Sequence, residues 1–214
     1  MKRILLLFTL LIPVLSLKAQ VPGTTKYFEG IVEYEIKTES YMKDVPDNEL
    51  RERTGTILKF YFKNGNYIRE YLDGAGYALR VAYYIKDSNM IYDYYPVMSP
   101  DTIYYSDAAK APYSGFSISK GEPEKILDCV CPSSVINAKL VLSNFPDTLD
   151  QTLTYFFCKD LPLDPRWHKD IDIWKDVIKE YKSIAIKFME DTPAVMKQTH
   201  TATRIVWQTI PDEK

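Results

Sequence analysis

The chain contains an early run in which hydrophobic and polar residues alternate with a period of two. Mostly charged residues fill the positions between the members of the apolar set, which are Phe28, Gly30, Val32, Tyr34 and Ile36. A period of two places successive side chains on opposite faces of a β-strand. The run therefore predicts a strand with one buried face and one solvated face.

The same alternation returns after a polar stretch and continues through several short segments. Residues 41–54 contain Pro46 and a charged cluster, which predicts a loop with a short helix that starts near Asp47. Asn64 and Gly65 both tolerate positive φ angles and predict a tight hairpin. Short polar turns cannot carry the crossover that parallel strands require, so this half predicts an antiparallel meander. Its strands are predicted at residues 56–62, 66–72, 77–86, 90–95 and 102–105.

The second half of the chain alternates less regularly and contains the main predicted helix. Residues 107–121 interrupt the pattern. Asp164 is a suitable N-cap and Pro165 suits the first helical position. Apolar residues then recur at helical spacing on one stripe, at Trp167, Ile171, Trp174, Ile178 and Tyr181. Strands are predicted at residues 125–131, 134–142, 153–158, 183–189 and 199–210.

These elements predict an α+β fold with one large, curved antiparallel β-sheet, a half-barrel, packed against one main helix. The helix from about Pro165 to Tyr181 is expected to cover the concave face, because its apolar stripe needs an apolar surface. A chain of 214 residues with 46% hydrophobic residues can build one domain with a real core. Without an internal repeat or a linker, residues 21–214 are predicted to form a single domain.

The first twenty residues have the pattern of a secretory signal peptide. Lys2 and Arg3 precede an apolar run at residues 4–12, which is too short to span a bilayer comfortably. Cleavage is expected near Ala19 or Gln20, and the mature protein is expected in the periplasm or outside the cell.

No feature of the predicted mature chain indicates a membrane attachment. A lipoprotein needs a cysteine at the processing site, and the first cysteine is Cys129. No later stretch is long and apolar enough to span a membrane. We therefore expect a protein that is neither lipid-anchored nor membrane-spanning.

The charge of the chain argues against a nucleic-acid partner. The net charge is −2, and the predicted signal carries basic residues and no acid, so its removal makes the chain more acidic. Binding to phosphates requires a concentrated basic face. The basic residues of the strands are instead scattered and are predicted to lie on solvated faces, at Lys59, Lys63, Arg69, Arg80 and Lys86.

Three cysteines in an exported chain are first of all candidates for a disulfide. Cys129 and Cys131 are two apart on a predicted strand, so they share a face and cannot bridge each other without breaking the strand. A bridge from Cys131 to Cys158 is slightly preferred, with Cys129 free or as the alternative partner. Cys-x-Cys with one remote cysteine and no nearby histidine does not match zinc spacing, so no metal site or cofactor is predicted.

The residues capable of acid–base or nucleophilic chemistry do not form a recognisable catalytic pattern. The two histidines, His168 and His200, have no nucleophile elbow or metal-binding histidine pair beside them. His168 is predicted to be a charged residue on the polar side of the helix. Two acidic pairs suggest solvent-facing positions rather than a glycosidase site: Glu33 with Glu35 and Asp170 with Asp172. The sequence therefore predicts a protein that is not an enzyme.

The tyrosines are concentrated in the first half, where fifteen of the 17 lie between Tyr27 and Tyr113. Adjacent pairs at residues 83–84, 94–95 and 104–105 place rings on both faces of successive strands. One set would enter the core, and the other could form a platform for a sugar or a peptide. Tyrosine also fits a pleated sheet on either face, so a purely structural role remains open.

Several segments together resemble exported proteins of Bacteroidetes, in particular the GLPGLI-type proteins and related domains of unknown function. The opening consists of a signal ending in Lys18-Ala19-Gln20, the strand at residues 28–34 and the hairpin at residues 60–69. The later order also fits, with segments at residues 125–131, 155–157, 160–162 and 202–206. This resemblance covers most of the mature chain.

The resemblance implies an architecture similar to the lipoprotein-carrier fold of LolA and LolB, in which a curved antiparallel sheet wraps around helices and can hold acyl chains. It implies no residue-level role. We therefore expect a non-enzymatic envelope protein that binds a hydrophobic or amphipathic ligand, such as a lipid or acyl chain, between sheet and helix. Candidate lining residues are Phe60, Trp167 and Trp174. The alternative is a surface module that binds a partner protein or glycan through exposed tyrosines.

Overall fold

The computed structural model describes residues 26–110, 112–141 and 148–211, so the predicted signal peptide lies outside the described residues. Within these ranges the chain forms eleven β-strands and two α-helices. The helices are α1 (Asp47–Thr54) and α2 (Trp174–Tyr181). The strands are β1 (Gly30–Ser40), β2 (Ile57–Lys63), β3 (Asn66–Leu72), β4 (Ala78–Ile85), β5 (Met90–Tyr95), β6 (Ser99–Asp107), β7 (Tyr113–Ile126), β8 (Cys129–Leu140), β9 (Leu149–Pro162), β10 (Ser183–Thr192) and β11 (Met196–Trp207).

All eleven strands belong to one antiparallel sheet, in the order β6-β5-β4-β3-β2-β1-β11-β10-β9-β8-β7. The sheet is open, with β6 and β7 at its edges. The consecutive order from β2 to β6 confirms the predicted meander, and α1 confirms the short helix predicted near Asp47. No helix among the described residues has the length and apolar character needed to cross a membrane.

The dipeptide at the β2–β3 turn determines how these two strands pair. Asn64 has a φ of 50° and Gly65 a φ of 87°, the positive values that a two-residue hairpin turn requires. The turn pairs Phe62 with Tyr67 and therefore Phe60 with Arg69. Directly paired residues on adjacent strands share a face, so the side chain of Arg69 lies on the same face as Phe60.

The predicted interruption at residues 107–121 is wrong, because β7 begins at Tyr113. This strand is an edge of the sheet and most of its side chains are exposed, so it shows no alternation of buried and solvated positions. The boundaries around the next turn also differ from the prediction. One strand, β8, replaces the two that were expected, and a turn at Leu127, with a φ of 51°, precedes it.

The single helix predicted from about Pro165 to Tyr181 is also wrong. A 3-10 helix at Pro165–His168 is followed, after a gap, by α2 at Trp174–Tyr181. Asp164 caps the first of these as predicted, because its carboxylate accepts a backbone N–H two residues later at 3.0 Å.

Tertiary hydrogen bonds explain the gap between the two helices. The N–H of Asp172 donates to the carbonyl of Ala108 at 3.3 Å, and the side-chain amide of Asn89 donates to the carbonyl of Asp170 at 3.2 Å. Both backbone groups would be needed for the ladder of a continuous helix. Contacts with the turns that flank β5 and β6 therefore replace helical hydrogen bonds in this segment.

The sheet curves around the segment that contains both short helices. Tyr67 of β3 and Tyr155 of β9 line one cavity although four strands separate β3 from β9. Neighbouring strands lie about 4.8 Å apart, so a flat sheet would hold these residues more than about 20 Å apart, on the order of five strand spacings. α2 buries Val177 and Ile178 against the inner face.

Gly65 is a point of close approach between the hairpin and the 3-10 helix. A Cβ atom there would lie 2.8 Å from Cβ and Cγ of Trp167, in addition to the positive φ. We expect Gly65→Ala to lower the free energy of unfolding by about 2 kcal/mol or more. Gly76 is the matched control, since its φ is 88° and a Cβ atom added there would meet nothing within 4 Å. Urea unfolding of both variants checks this, and equal destabilisation would contradict it.

Candidate functional site

The feature with the character of a binding site is a cavity of about 110 Å³ between the inner face of the sheet and the segment at residues 165–178. Strands β1, β2, β3, β9 and β10 contribute its walls, and the remaining wall comes from the helical segment. Its surface is mainly apolar and aromatic. Its lining includes the aromatic residues Phe60, Tyr67, Tyr155 and Trp174 and the charged residues Arg69 and Glu190.

Two of the three predicted lining residues contribute to this cavity. Phe60 and Trp174 lie in its wall. Trp167 does not line it and instead packs against Tyr27 and Phe62, with ring centroids 5.0 Å and 5.9 Å apart. Its position follows from the break in the predicted helix, because the 3-10 helix directs this ring toward the hairpin turn.

The aromatic wall is held in place by ring contacts and a hydrogen bond. Trp174 meets Tyr155 edge to face, with centroids 4.1 Å apart, and Tyr155 stacks on Phe188 at 5.7 Å. The hydroxyl of Tyr34 donates to the carbonyl of Ala185 at 2.7 Å. Burial raises the pKa of Tyr155 well above its ordinary value, so its hydroxyl stays protonated. The wall is therefore neutral and shaped by contacts that resist rearrangement.

The side chain of Arg69 places one permanent positive charge in the wall of this mainly apolar cavity. The guanidinium of Arg69 lies 4.9 Å from the ring centroid of Tyr67 and 5.7 Å from that of Phe60. Among the described residues, no hydrogen bond or ion pair engages it. Arg80, on the next strand, shows the contrast, because its Nε donates to Asp93 Oδ1 at 2.7 Å. Arg69 is thus positioned by rings alone.

A carboxylate from another strand also lines the cavity. Glu190 lies on β10, and burial raises its pKa although Arg69 and Arg80 act in the opposite direction. It forms no ion pair within the described part of the chain. Glu190 and Arg69 thus line the same cavity without a direct ion pair, although each charge acts on the pKa of the other.

The prediction that Arg69 and Arg80 lie on solvated faces is wrong. Both side chains contact inward-facing tyrosines, Arg69 over Tyr67 and Arg80 over Tyr71. The signal that could have revealed this was present in the sequence. A two-residue Asn-Gly turn sets the register that places Arg69 opposite the apolar Phe60.

The two histidines are buried and neutral, so the prediction of a charged, exposed His168 is wrong. Burial lowers the pKa of His168 to about 4 and that of His200 to about 3. His168 Nε2 lies 3.1 Å from the carbonyl oxygen of Gly65, to which it donates in the neutral form. His200 stacks on Phe188 with centroids 4.0 Å apart, and neither of its ring nitrogens has a partner among the described residues.

The three cysteines lie close together and carry free thiols. The pairing of β8 with β9 begins at Ser133 and Phe156, and Cys131 and Cys158 lie two residues beyond this pair on the two strands. Burial raises the pKa of both of these thiols to about 12. The predicted disulfide stays a prediction. Spacing alone had argued against a metal site, but the fold brings Cys129, Cys158 and the carboxylate of Asp160 together.

The tyrosine pairs divide between core and surface according to their place in the sheet. Tyr84 is buried, and its neighbour Tyr83 is exposed, as the alternation predicts. On β6 both Tyr104 and Tyr105 are exposed, because this edge strand has little packed against either face. The edge strand therefore exposes both rings of its pair, whereas the other exposed tyrosines, Tyr41, Tyr77 and Tyr83, lie outside β6.

Comparisons with known proteins leave the function to be argued from this geometry. The sequence matches no protein-family model, and no curated protein sequence matches it at a significant level. The GLPGLI-type resemblance and the LolA-like architecture therefore stay predictions.

Proposed function

We propose that the protein is a non-enzymatic exported envelope protein that binds an amphipathic ligand in the cavity between sheet and helical segment. The observation that carries this proposal is the guanidinium of Arg69, which enters an aromatic cavity without a hydrogen-bonding or ionic partner among the described residues. Arg69 is half-buried, and a ligand that supplies an anionic partner gains a charge-assisted hydrogen bond in surroundings that are mainly apolar. The LolA-like architecture implied by the resemblance is compatible with such a role.

The volume of the cavity sets the size of the apolar group that it takes. An engineered cavity of about 150 Å³ holds benzene, so about 110 Å³ suits a small ring or a short branched alkyl group. Burial contributes roughly 25 cal/mol for each Å² of apolar surface. A complete acyl chain would extend beyond the cavity, and only its end would occupy the space beside Trp174.

The charge inside the cavity sets the chemistry of the polar group. Arg69 presents donors in a planar fork that matches a carboxylate or a phosphate. Glu190, on β10, forms no ion pair with Arg69 among the described residues, so the guanidinium is left to pair with an anionic group of a ligand. The ligand class is therefore an amphiphile with a small apolar end and an anionic group.

Native mass spectrometry of the protein purified from the periplasm of an expressing cell, with extraction and identification of bound small molecules, tests this proposal. We expect a stoichiometric amphipathic species. Trp174→Ala should reduce its occupancy per folded molecule, because Trp174 forms the cavity wall. Trp167→Ala is the matched control, since this ring lies outside the cavity and its loss should leave occupancy unchanged. A clean apo mass, or equal occupancy in both variants, would contradict the proposal.

A second function is supported by the edge of the sheet. Exposed apolar residues lie on β6 and on the turn before it, among them Met98 and Ile103 at 75% and 64% exposure and Tyr105 at 74%. An open edge strand with apolar side chains suits pairing with another protein or contact with a glycan. Crosslinking from β6 to a partner, in a protein that carries no small molecule, would favour this surface module over the cavity.

A further inference from the structure

The cysteine region has the donor set of a metal site, and none of its three donor residues lines the cavity. Cys129 begins β8, and Cys158 and Asp160 lie two residues apart near the end of β9. The two sulfur atoms and a carboxylate oxygen all lie within 4.8 Å of one another. These three residues form the thiol–carboxylate cluster.

We propose that Cys129, Cys158 and Asp160 bind one Zn²⁺ ion. Zinc accepts thiolate sulfur at about 2.3 Å and carboxylate oxygen at about 2.0–2.2 Å, and a tetrahedral arrangement of such ligands brings the donor atoms close together in space. Each thiol that binds loses its proton to solvent as the sulfur–zinc bond forms.

The mixed donor set selects among thiophilic ions. A carboxylate oxygen beside two sulfurs favours a borderline ion over copper(I), which prefers soft thiolate and thioether ligands. A fourth position remains for water, because the buried Cys131 is not one of the three grouped donors and its thiol lies 3.5 Å from the carbonyl oxygen of Cys129. The cluster thus supplies three of the four ligands of a tetrahedral zinc ion.

The different exposure of its three residues gives an ion a path from solvent into the cluster. Cys158 is buried, Cys129 is half-buried and Asp160 is exposed, so the carboxylate lies at the opening and the sulfurs lie inside. Glu124, which pairs with Cys131 from the neighbouring strand β7, is already bound by Lys187 at 2.7 Å. Asp160 is therefore the acid that serves the site.

Zinc titration of the reduced, chelator-stripped protein, in competition with a chromophoric chelator, tests the proposal. We expect one ion per chain, and tetrahedral sulfur-to-metal absorption when Co²⁺ replaces Zn²⁺. Asp160→Asn should weaken zinc binding by at least about tenfold. Asp128→Asn is the matched control, because Asp128 is an exposed acid beside Cys129 and outside the cluster, and it should change nothing. Cys158→Ser should abolish the Co²⁺ absorption.

Asp160 is exposed, so the Asp160→Asn variant is expected to fold. It therefore tests the proposal even if Cys158→Ser does not fold. No uptake at one equivalent, or equal weakening by Asp160→Asn and Asp128→Asn, would overturn the proposal. The proposal would also be overturned if the protein is isolated with a Cys129–Cys158 disulfide and takes up no zinc after that disulfide is reduced. Ligand binding in the cavity is measured separately, so a failure here leaves the proposed function untouched.

Discussion

Replacing Arg69 by methionine is expected to weaken binding of an anionic amphiphile by about 10- to 100-fold, because the ligand loses a charge-assisted hydrogen-bond partner. The same change is expected to leave the free energy of unfolding unchanged or to raise it. Methionine fills similar apolar space, and its introduction removes a half-buried cation without an ionic partner among the described residues. Weaker ligand binding together with unchanged or higher stability would show that Arg69 serves binding and not folding.

Isothermal titration with hexanoate and with hexanol checks this expectation, and urea unfolding gives the stability. Hexanoate should bind the native protein more tightly than hexanol, and Arg69→Met should remove that preference. Arg204→Met is the control, because this exposed side chain pairs with Glu33 on the solvated face at 3.6 Å. Equal affinity for the two probes in the native protein, or a strongly destabilised Arg69→Met variant, would assign Arg69 a structural role instead.

Acidification from about pH 6.5 to about pH 4 is expected to destabilise the protein severely. His168 and His200 have folded pKa values of about 4 and about 3, whereas the unfolded chain takes up a proton on each near pH 6.5. Below that pH the unfolded state binds more protons than the folded state, so stability falls as the pH falls. Each histidine contributes about 1.4 kcal/mol per pH unit in this window, and together they approach the whole stability of a domain.

His200→Phe isolates the contribution of one ring. Phenylalanine preserves the stack on Phe188, and it removes ring nitrogens that have no partner among the described residues. Urea unfolding across this pH range should show about half of the native slope in the variant. The low pKa of Asp164 contributes only in more acidic solution, because its stabilisation is lost as pH falls below the range of an ordinary carboxyl. The same slope in both proteins would show that His200 is not buried as a neutral residue.

Edge strands and interrupted helices limited what the residue pattern could predict about the fold. β1 has one solvated face and one packed face, so its alternation was readable. β7 is exposed along most of its length, and no alternation marks it. The stripe from Trp167 to Tyr181 has helical spacing, but hydrogen bonds that join this segment to Ala108 and Asn89 interrupt the helix. Local periodicity cannot record such long-range bonds.

The sequence allowed aromatic residues of the candidate site to be predicted, but not its charged residues. Large aromatic residues on predicted inner positions, such as Phe60 and Trp174, do line the cavity. Arg69 and Glu190 were not identified, because a charged residue on a strand ordinarily faces water. Their inward positions depend on the register of β2 with β3 and of β10 with its neighbours.

The sequence by itself determined the local elements: the alternation of β1, the Asn64–Gly65 turn and the antiparallel meander that short polar turns require. These depend on side-chain size, on φ angles and on neighbours a few residues away. Tertiary structure decided which distant groups meet. Sheet curvature brings β3 near β9 around a cavity, and strand pairing brings Cys129 to Cys158 and Asp160. Such contacts arise from burying the inner face that the central strands of the sheet share, and no local spacing in the chain specifies them.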